Sequence, residues 1–502
     1  MRSLVLAALL AALPPAALAA QTASVPAHGG AAITAEDVAA RVAWLASDEL
    51  AGRETPSPGL EAAAAYAAAE FARFGLQPAG DSGSFVQRYP LQSARMDRER
   101  VLFRAGPDVF AYGTQYFVAP SMRGDSTAAA AIYLGNVRPG LALPTEARDR
   151  IVVFAIADTL SAATQEAWQE KLVASVVTAM SGGAAGIVLI LDPAFSVATI
   201  GMLAQFVAGQ QAPLPVVGVA HDAIAPLFAT AGHDLAALRA ADPAAPLVLP
   251  GEFVIRTAAS AATDLVPNVV ALLPGSDPAL KDEYIVFTAH IDHVGIGAPD
   301  ARGDSIYNGA DDDASGTAAV LELAQAFAAA PRAPQRSLLF LLVSGEERGL
   351  LGSRHFVAEP TVPLAQIVAN INADMIGRNH PDTVYAIGGD YTTMGEVVQR
   401  VARENPELRL AVAPDPLPEE QLFFRSDHYS FAARDIPALF FTTGLHADYH
   451  RASDEAEHID ADKLARITRL LYALGEQLGN AAERPAWTEA GRAALEAARA
   501  SR

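Results

Sequence analysis

The chain reads as an α/β protein: a mostly parallel mixed sheet sandwiched by helices, with a smaller inserted domain. Three observations predict this. The C-terminal half alternates short apolar runs with helix-like stretches, and histidine and acidic motifs fall just past the ends of several runs. A central block has its own alternation of elements and none of those motifs. Alternation of this kind builds a sheet covered by helices, with ligands beyond the carboxyl ends of its strands. At 502 residues the chain is too long for one compact core, so two or more domains are expected.

Residues 1–19 read as a signal peptide. Met1-Arg2 is a short positive start, Leu4 to Leu13 is apolar, and Ala17-Leu18-Ala19 is a small-residue cleavage site. The apolar run breaks at Pro14-Pro15, short of the roughly 20 residues that a spanning helix needs. No other stretch competes as a membrane span. The chain has no cysteine, which excludes disulfides and an acylated N-terminal cysteine. A periplasmic or secreted protein, not a lipoprotein, is expected. The formal charge of −21 argues against nucleic acid and anionic membrane surfaces as partners.

Residues 33–106 form the first block, mostly helical up to Gln92. Thr34 precedes Ala35-Glu36-Asp37, a cap followed by acids in the first turn. A second helix runs from Gly59 to Phe74 and stops at Gly75. In the middle block, 107–262, strands are expected at Arg150–Ile156, Ala185–Leu191 and Pro213–Val219, with a helix over Thr164–Met180. The last block, 263–480, predicts strands at Val266–Leu273, Tyr284–Thr288, Leu338–Val343, Ile367–Ile371, Thr383–Ile387, Leu408–Val412 and Ala438–Thr442. Its helices fit Ser315–Ala329, Thr392–Asn405, Asp427–Ala433 and Asp462–Gly479. Residues 481–502 are read as a tail.

His290, Glu346, Glu347 and Asp374 each lie just after a predicted strand. Together with Gly309-Ala310-Asp311-Asp312-Asp313-Ala314-Ser315-Gly316 and Tyr449-His450, they supply the parts of a two-metal hydrolase. Such an enzyme needs a strong nucleophile near neutral pH, and a metal supplies one by lowering the pKa of bound water to about 7. Each motif alone has a plainer reading. A single His-x-Asp is common, although here His290 would bind metal while Asp292 orients its ring. The triple Asp has no EF-hand spacing or closing Glu and leads straight into an apolar helix. Glu346-Glu347 follows an apolar strand between Gly345 and Gly349, which suits a site loop better than a helix start. His28, His221 and His233 read as surface residues. His293, His355, His380, His446 and His458 are given no ligand role; His428 is placed near the pocket, and Arg425 beside it reads either as a substrate contact or as a surface or structural residue.

The strings Ala289-His290-Ile291-Asp292, Gly309 to Gly316, Gly345-Glu346-Glu347, Asp374-Met375-Ile376-Gly377, Ser426-Asp427-His428 and Tyr449-His450 resemble, in order, the zinc exopeptidases of the bacterial leucyl aminopeptidase type. That family includes glutamate carboxypeptidase and glutaminyl cyclase. Asp48-Glu49-Leu50-Ala51-Gly52-Arg53 and Phe71 to Pro78 resemble its leader region, and the middle block resembles a protease-associated domain. The resemblance implies a zinc aminopeptidase fold with two zinc ions per chain. His290, Asp312, Glu347, Asp374 and His450 would be the metal ligands, with Asp312 bridging. Glu346 would be the general base, Tyr449 the hydroxyl facing the oxyanion, and Asp292 the orienting acid. Two dications then face three carboxylates, and a bridging hydroxide balances the site. The implied activity is removal of N-terminal residues from peptides with a free N-terminus. Alternatives are a carboxypeptidase acting on acidic peptides, a cyclase of N-terminal glutamine, or a receptor-like binding protein with a dead site.

Overall fold

The computed structural model describes residues 29–119, 126–137, 143–156, 177–193, 214–241, 243, 245–297, 300 and 302–500. The expected signal peptide and most of the helix expected at Thr164–Met180 lie outside them.

Nine strands form the sheet that carries the motifs. They are β1 (Gln77–Pro78), β2 (Val86–Met96), β3 (Ala259–Leu273), β4 (Tyr284–His290), β5 (Ser337–Val343), β6 (Ile367–Ala373), β7 (Thr383–Ile387), β8 (Ala411–Ala413) and β9 (Ala438–Thr442). Their order is β1-β3-β5-β4-β6-β9-β7-β8, with β2 also paired to β3. The central strands β5, β4, β6 and β9 run parallel. Outside them β3–β5, β2–β3 and β7–β9 pair antiparallel, so parallel pairing is concentrated in the centre.

The sequence of β5, Ser-Leu-Leu-Phe-Leu-Leu-Val, is apolar without alternation because both faces of the sheet are covered. Leu338, Phe340 and Leu342 pack with helices α1 (Ala35–Leu45), α2 (Pro58–Arg73), α3 (Gly316–Ala328), α5 (Met394–Glu404) and α7 (Ala461–Asn480). Leu339, Leu341 and Val343 meet Phe356, Val357 and Phe431 from α4 (Leu351–Ala358) and α6 (His428–Ala432) on the other face. Each such side chain taken out of water contributes roughly 1.5–3 kcal/mol, so this strand anchors both layers. The helix starts are local: Thr34 accepts the Asp37 N–H, Ser57 that of Leu60, and Asp460 that of Lys463.

Among the described residues, a second sheet of eight strands spans Leu102–Ala105 to Leu247–Arg256. It has its own apolar clusters, around Phe103, Tyr133, Val153 and Phe228 on one side and Phe117, Val152, Phe154 and Leu189 on the other. The chain leaves along β2 and returns along β3, the two paired from Val86↔Val269 to Met96↔Ala259. These limits sit a few residues before the expected 107–262.

Two further differences have clear causes. The strand expected at Leu408–Val412 is shortened to β8, because Pro406–Leu408 forms a turn and Arg409 is left-handed (φ 51°). The expected tail contains helix α8 (Glu489–Ala500). Trp487 packs beside Phe423 ahead of it and donates its Nε1–H to the Asp435 carbonyl at 2.9 Å. No helix of the described residues is long and apolar enough to cross a membrane.

Candidate metal centre

Adjacent parallel strands bring the motifs to one edge. β4 ends on His290, opposite Val343 at the end of β5, so Ser344–Glu347 follow beside it. β6 ends at Ala373, one residue before Asp374, and the loop after β9 carries Tyr449 and His450. Asp312 sits in the turn Ala310–Ser315 that leads into α3. Two glycines make these turns possible. Gly309 (φ 59°) comes so close to the turn that a Cβ would lie 2.2 Å from the Asp312 carbonyl oxygen. Gly345 (φ 69°) lets the chain turn sharply ahead of Glu346, in a region that side chains other than glycine's rarely adopt.

Asp312 stands at the centre. Its Oδ1 is 3.0 Å from His290 Nε2 and its Oδ2 is 3.1 Å from His450 Nε2. Asp374 Oδ1 lies 3.6 Å from His290 Nε2, and Glu347 Oε2 lies 3.0 Å from His450 Nε2. The five sequence-predicted ligands therefore fall into two groups that share Asp312. Asp374 Oδ1, Glu347 Oε1 and His450 Nε2 are buried atoms without a hydrogen-bond partner. Leaving such an atom unpaired costs about 1–3 kcal/mol, and imidazole nitrogens with carboxylate oxygens are the donors zinc takes. The residues fit two metal ions. Asp313 also lies beside His290 and Asp374, but its oxygens accept the backbone N–H groups of His290, Gly316 and Met375 at 3.1, 2.8 and 3.3 Å. It ties β4, α3 and the Asp374 loop together, and Asp312 has the freer oxygens.

The site's electrostatics call for positive charge. Burial works against a charged His290, yet the Asp374 and Asp312 carboxylates outweigh it and lift its pKa well above the ordinary value. His450 is also opposed by burial and still rises to about 10 beside Asp312 and Glu347. Protons here occupy places that cations would take, so metal uptake should release them. Burial, then the neighbouring Glu347, Asp427 and Asp374, push Glu346 well above the usual carboxylate range. Burial and the same acidic surroundings raise Tyr449, which remains a phenol that can donate; its ring stacks on His450 at 3.9 Å.

A supporting set holds these groups. Ser426 donates to Asp374 Oδ2 at 2.7 Å and receives a bond from the Asn372 amide at 2.8 Å. Asp292 behaves differently from expectation. Its own carbonyl, 3.1 Å away, is the hydrogen-bond partner of His290 Nδ1, and its carboxylate stands off at 3.8 Å. That carboxylate instead accepts the Thr55 hydroxyl at 2.8 Å and the Glu346 N–H at 3.3 Å, so it fixes the loop of the expected base. Asp292 can orient the ring only through the backbone turn it shares with His290.

Sequence reasoning missed several participants. Arg53 is buried and donates to the carbonyls of Leu45, Ile291, Asn308 and Gly309, joining both ligand loops. Asp454 accepts the N–H groups of Asp311 and Asp312 at 3.0 and 3.2 Å. His446 lies 3.3 Å from Asp311 Oδ2. His293, given no ligand role, sits 2.9 Å from Glu347 Oε1; its position three residues after His290 was the available signal. His428 is buried against Phe440 and Phe423, and Arg425 pairs with Glu420 on the surface. A cavity of about 1490 Å³ beside α5 and α8 shares no residue with the centre.

The chain resembles known proteins in sequence and in fold. The chain is 32% identical over 191 residues to leupeptin-inactivating enzyme 1 of Streptomyces exfoliatus, covering 38% of each protein. It is 26% identical to aminopeptidase YwaD of Bacillus subtilis over 39% of this chain and 41% of that one. The chain thus spans less than half the length of these curated relatives. Among solved structures, the aminopeptidase from Aneurinibacillus sp. strain AM-1 superposes with a TM-score of 0.55 at 20% identity, over 90% of this chain and 95% of that one. BSAP, a zinc aminopeptidase from Bacillus subtilis, gives 0.57 at 17%, over 88% and 94%. At these identities the structural likeness is one of fold. The pattern of peptidase family M28 matches residues 268–475, the stretch that holds all five predicted ligands.

Proposed function

We propose that this protein is an exported di-zinc aminopeptidase that removes N-terminal residues from peptides. One observation carries the reading: Asp312 lies 3.0 Å from His290 Nε2 and 3.1 Å from His450 Nε2, so two donor groups meet at it, and Glu346 belongs to neither. Zinc, when bound there, would polarise the scissile carbonyl and make a water nucleophilic near neutral pH. The chain's own residues do the rest. Glu346 takes the proton of the attacking water and hands it to the leaving amine, a role for which its raised pKa suits it. Asp292 holds the Glu346 loop through its N–H. Tyr449, still protonated, donates to the oxyanion that develops on the substrate. Burial of His290, Asp312 and Asp374 excludes bulk water from the reacting atoms.

The names of the relatives, an aminopeptidase and a leupeptin-inactivating enzyme, support peptide substrates. The second sheet is read as a protease-associated domain inserted between β2 and β3, and the apolar N-terminal residues as an export signal. The test is hydrolysis of a panel of aminoacyl-anilides by zinc-loaded protein, run beside their N-acetylated versions. Turnover of free-amine substrates alone is expected. Silence on both sets with zinc bound would reject the aminopeptidase reading and favour a carboxypeptidase or glutaminyl cyclase of the same family.

A further inference from the structure

His293 has no part in a five-ligand centre, yet its side chain is fully buried (0% exposed) and neither ring nitrogen has a hydrogen-bond partner. Its surroundings are not those of an idle core histidine. Nδ1 stands 2.9 Å from Glu347 Oε1 and 3.7 Å from Asp312 Oδ2, and the ring meets His450 edge-on at 5.5 Å. At this 2.9 Å approach Glu347 Oε1 is itself left without a hydrogen-bond partner. Nitrogen and oxygen lone pairs this close repel each other unless a cation lies between them. One donor atom each from His293, Asp312, Glu347 and His450 falls within 4.8 Å of the others. Their separations of 2.9, 3.0, 3.1 and 3.7 Å suit donors set about 2.0–2.2 Å from one ion.

The ring is also held in place. The backbone N–H of His293 donates to the Arg53 carbonyl at 3.3 Å. Gly309 leaves the space the ring occupies, because a Cβ there would lie 2.5 Å from His293 Cγ.

We propose that His293 is a protein ligand, through Nδ1, of the zinc-type dication held by Glu347 and His450. That ion then has four protein donors, against three from His290, Asp312 and Asp374 for its neighbour. The proposal rests on the two-ion reading above, and the experiment separates the two. Protein carrying isotope-labelled histidine is loaded with NMR-active cadmium, and metal–nitrogen couplings are recorded. Three coupled imidazoles are expected, His293 through Nδ1 and His290 and His450 through Nε2; only two would overturn the ligand role. Uptake of a single cadmium by the wild type would instead overturn the two-ion reading. In competition with a chelator, His293→Ala should weaken one ion by more than the roughly 10–100-fold that loss of an outer hydrogen-bond partner costs. The other ion should keep its affinity. A loss within or below that band would reduce His293 to a positioning residue and overturn ligation.

Discussion

The two halves of the metal centre hold their donors by different means. On the His290 side, His290 Nδ1 is engaged by the Asp292 carbonyl and Asp374 Oδ2 by Ser426, which leaves Asp374 Oδ1 without a partner. On the His450 side, Glu347 Oε1, His450 Nε2 and both His293 nitrogens have no hydrogen-bond partner, and the His450 side chain is 36% exposed. One half is built from few donors that are firmly oriented, and the other from more donors with less outside support. Second partners orient a ligand and raise its basicity, so affinity should respond to different substitutions on the two sides.

The harshest way to break this comparison is to remove what the halves share. Asp312→Ala takes one oxygen from each group, so metal content should fall at both sites and activity should become undetectable. Metal analysis beside turnover checks this; retention of both ions would refute Asp312 as the bridge. Next comes Glu346→Gln, which leaves both donor groups intact. It should cost roughly 10²–10⁴ in kcat with metal content unchanged, and wild-type turnover would remove Glu346 from the role of base.

Ser426→Ala sharpens the difference between the halves. It frees Asp374 Oδ2 and touches nothing on the His450 side. Loss of such a partner typically costs 10–100-fold in metal affinity, and stepwise chelator titration should show that loss for one ion only. Equal weakening of both ions would mean that the halves are coupled through Asp312 more strongly than their separate hydrogen bonds imply.

Much of this was legible in the chain because it is local. β5 announces itself as an unbroken apolar run, and Gly345-Glu346-Glu347 follows as the turn that a buried parallel strand needs at its end. What was illegible depends on partners distant in sequence. β2 is a strand because it pairs along most of β3, more than 160 residues later, and its own pattern does not say so. Ser126–Asn136 is rich in alanine and small residues, without the β-branched signal of Ile151–Ala155. Arg53 and Asp454 brace the ligand turns from opposite ends of the chain, and no spacing within a motif encodes that. His293 was overlooked because a histidine next to a metal motif reads the same whether it faces the ion or the core.

The mildest test contrasts two buried histidines of one domain. His290 lies among carboxylates that raise its pKa, whereas His428 is stacked on Phe440 at 4.9 Å and burial lowers its pKa from 6.5 to about 3. The folded protein therefore refuses a proton at His428 that the unfolded chain accepts between about pH 3 and 6.5. Where the unfolded state binds more protons, stability rises with pH, so this residue's contribution is complete above pH 6.5 and is lost as pH falls below it. His428→Phe keeps an aromatic ring against Phe440 and removes the titration. Between pH 7.5 and pH 5 the urea midpoint of the metal-free wild type should fall by more than that of the variant, which lacks this titration. The slope at stake is at most about 1.4 kcal/mol per pH unit, enough to shift a midpoint measurably. Parallel pH curves for the two proteins would show that His428 is protonated in the fold, which would require an acceptor for its N–H groups; the nearest buried carboxylate in sequence, Asp427, is itself raised to about 7 by burial.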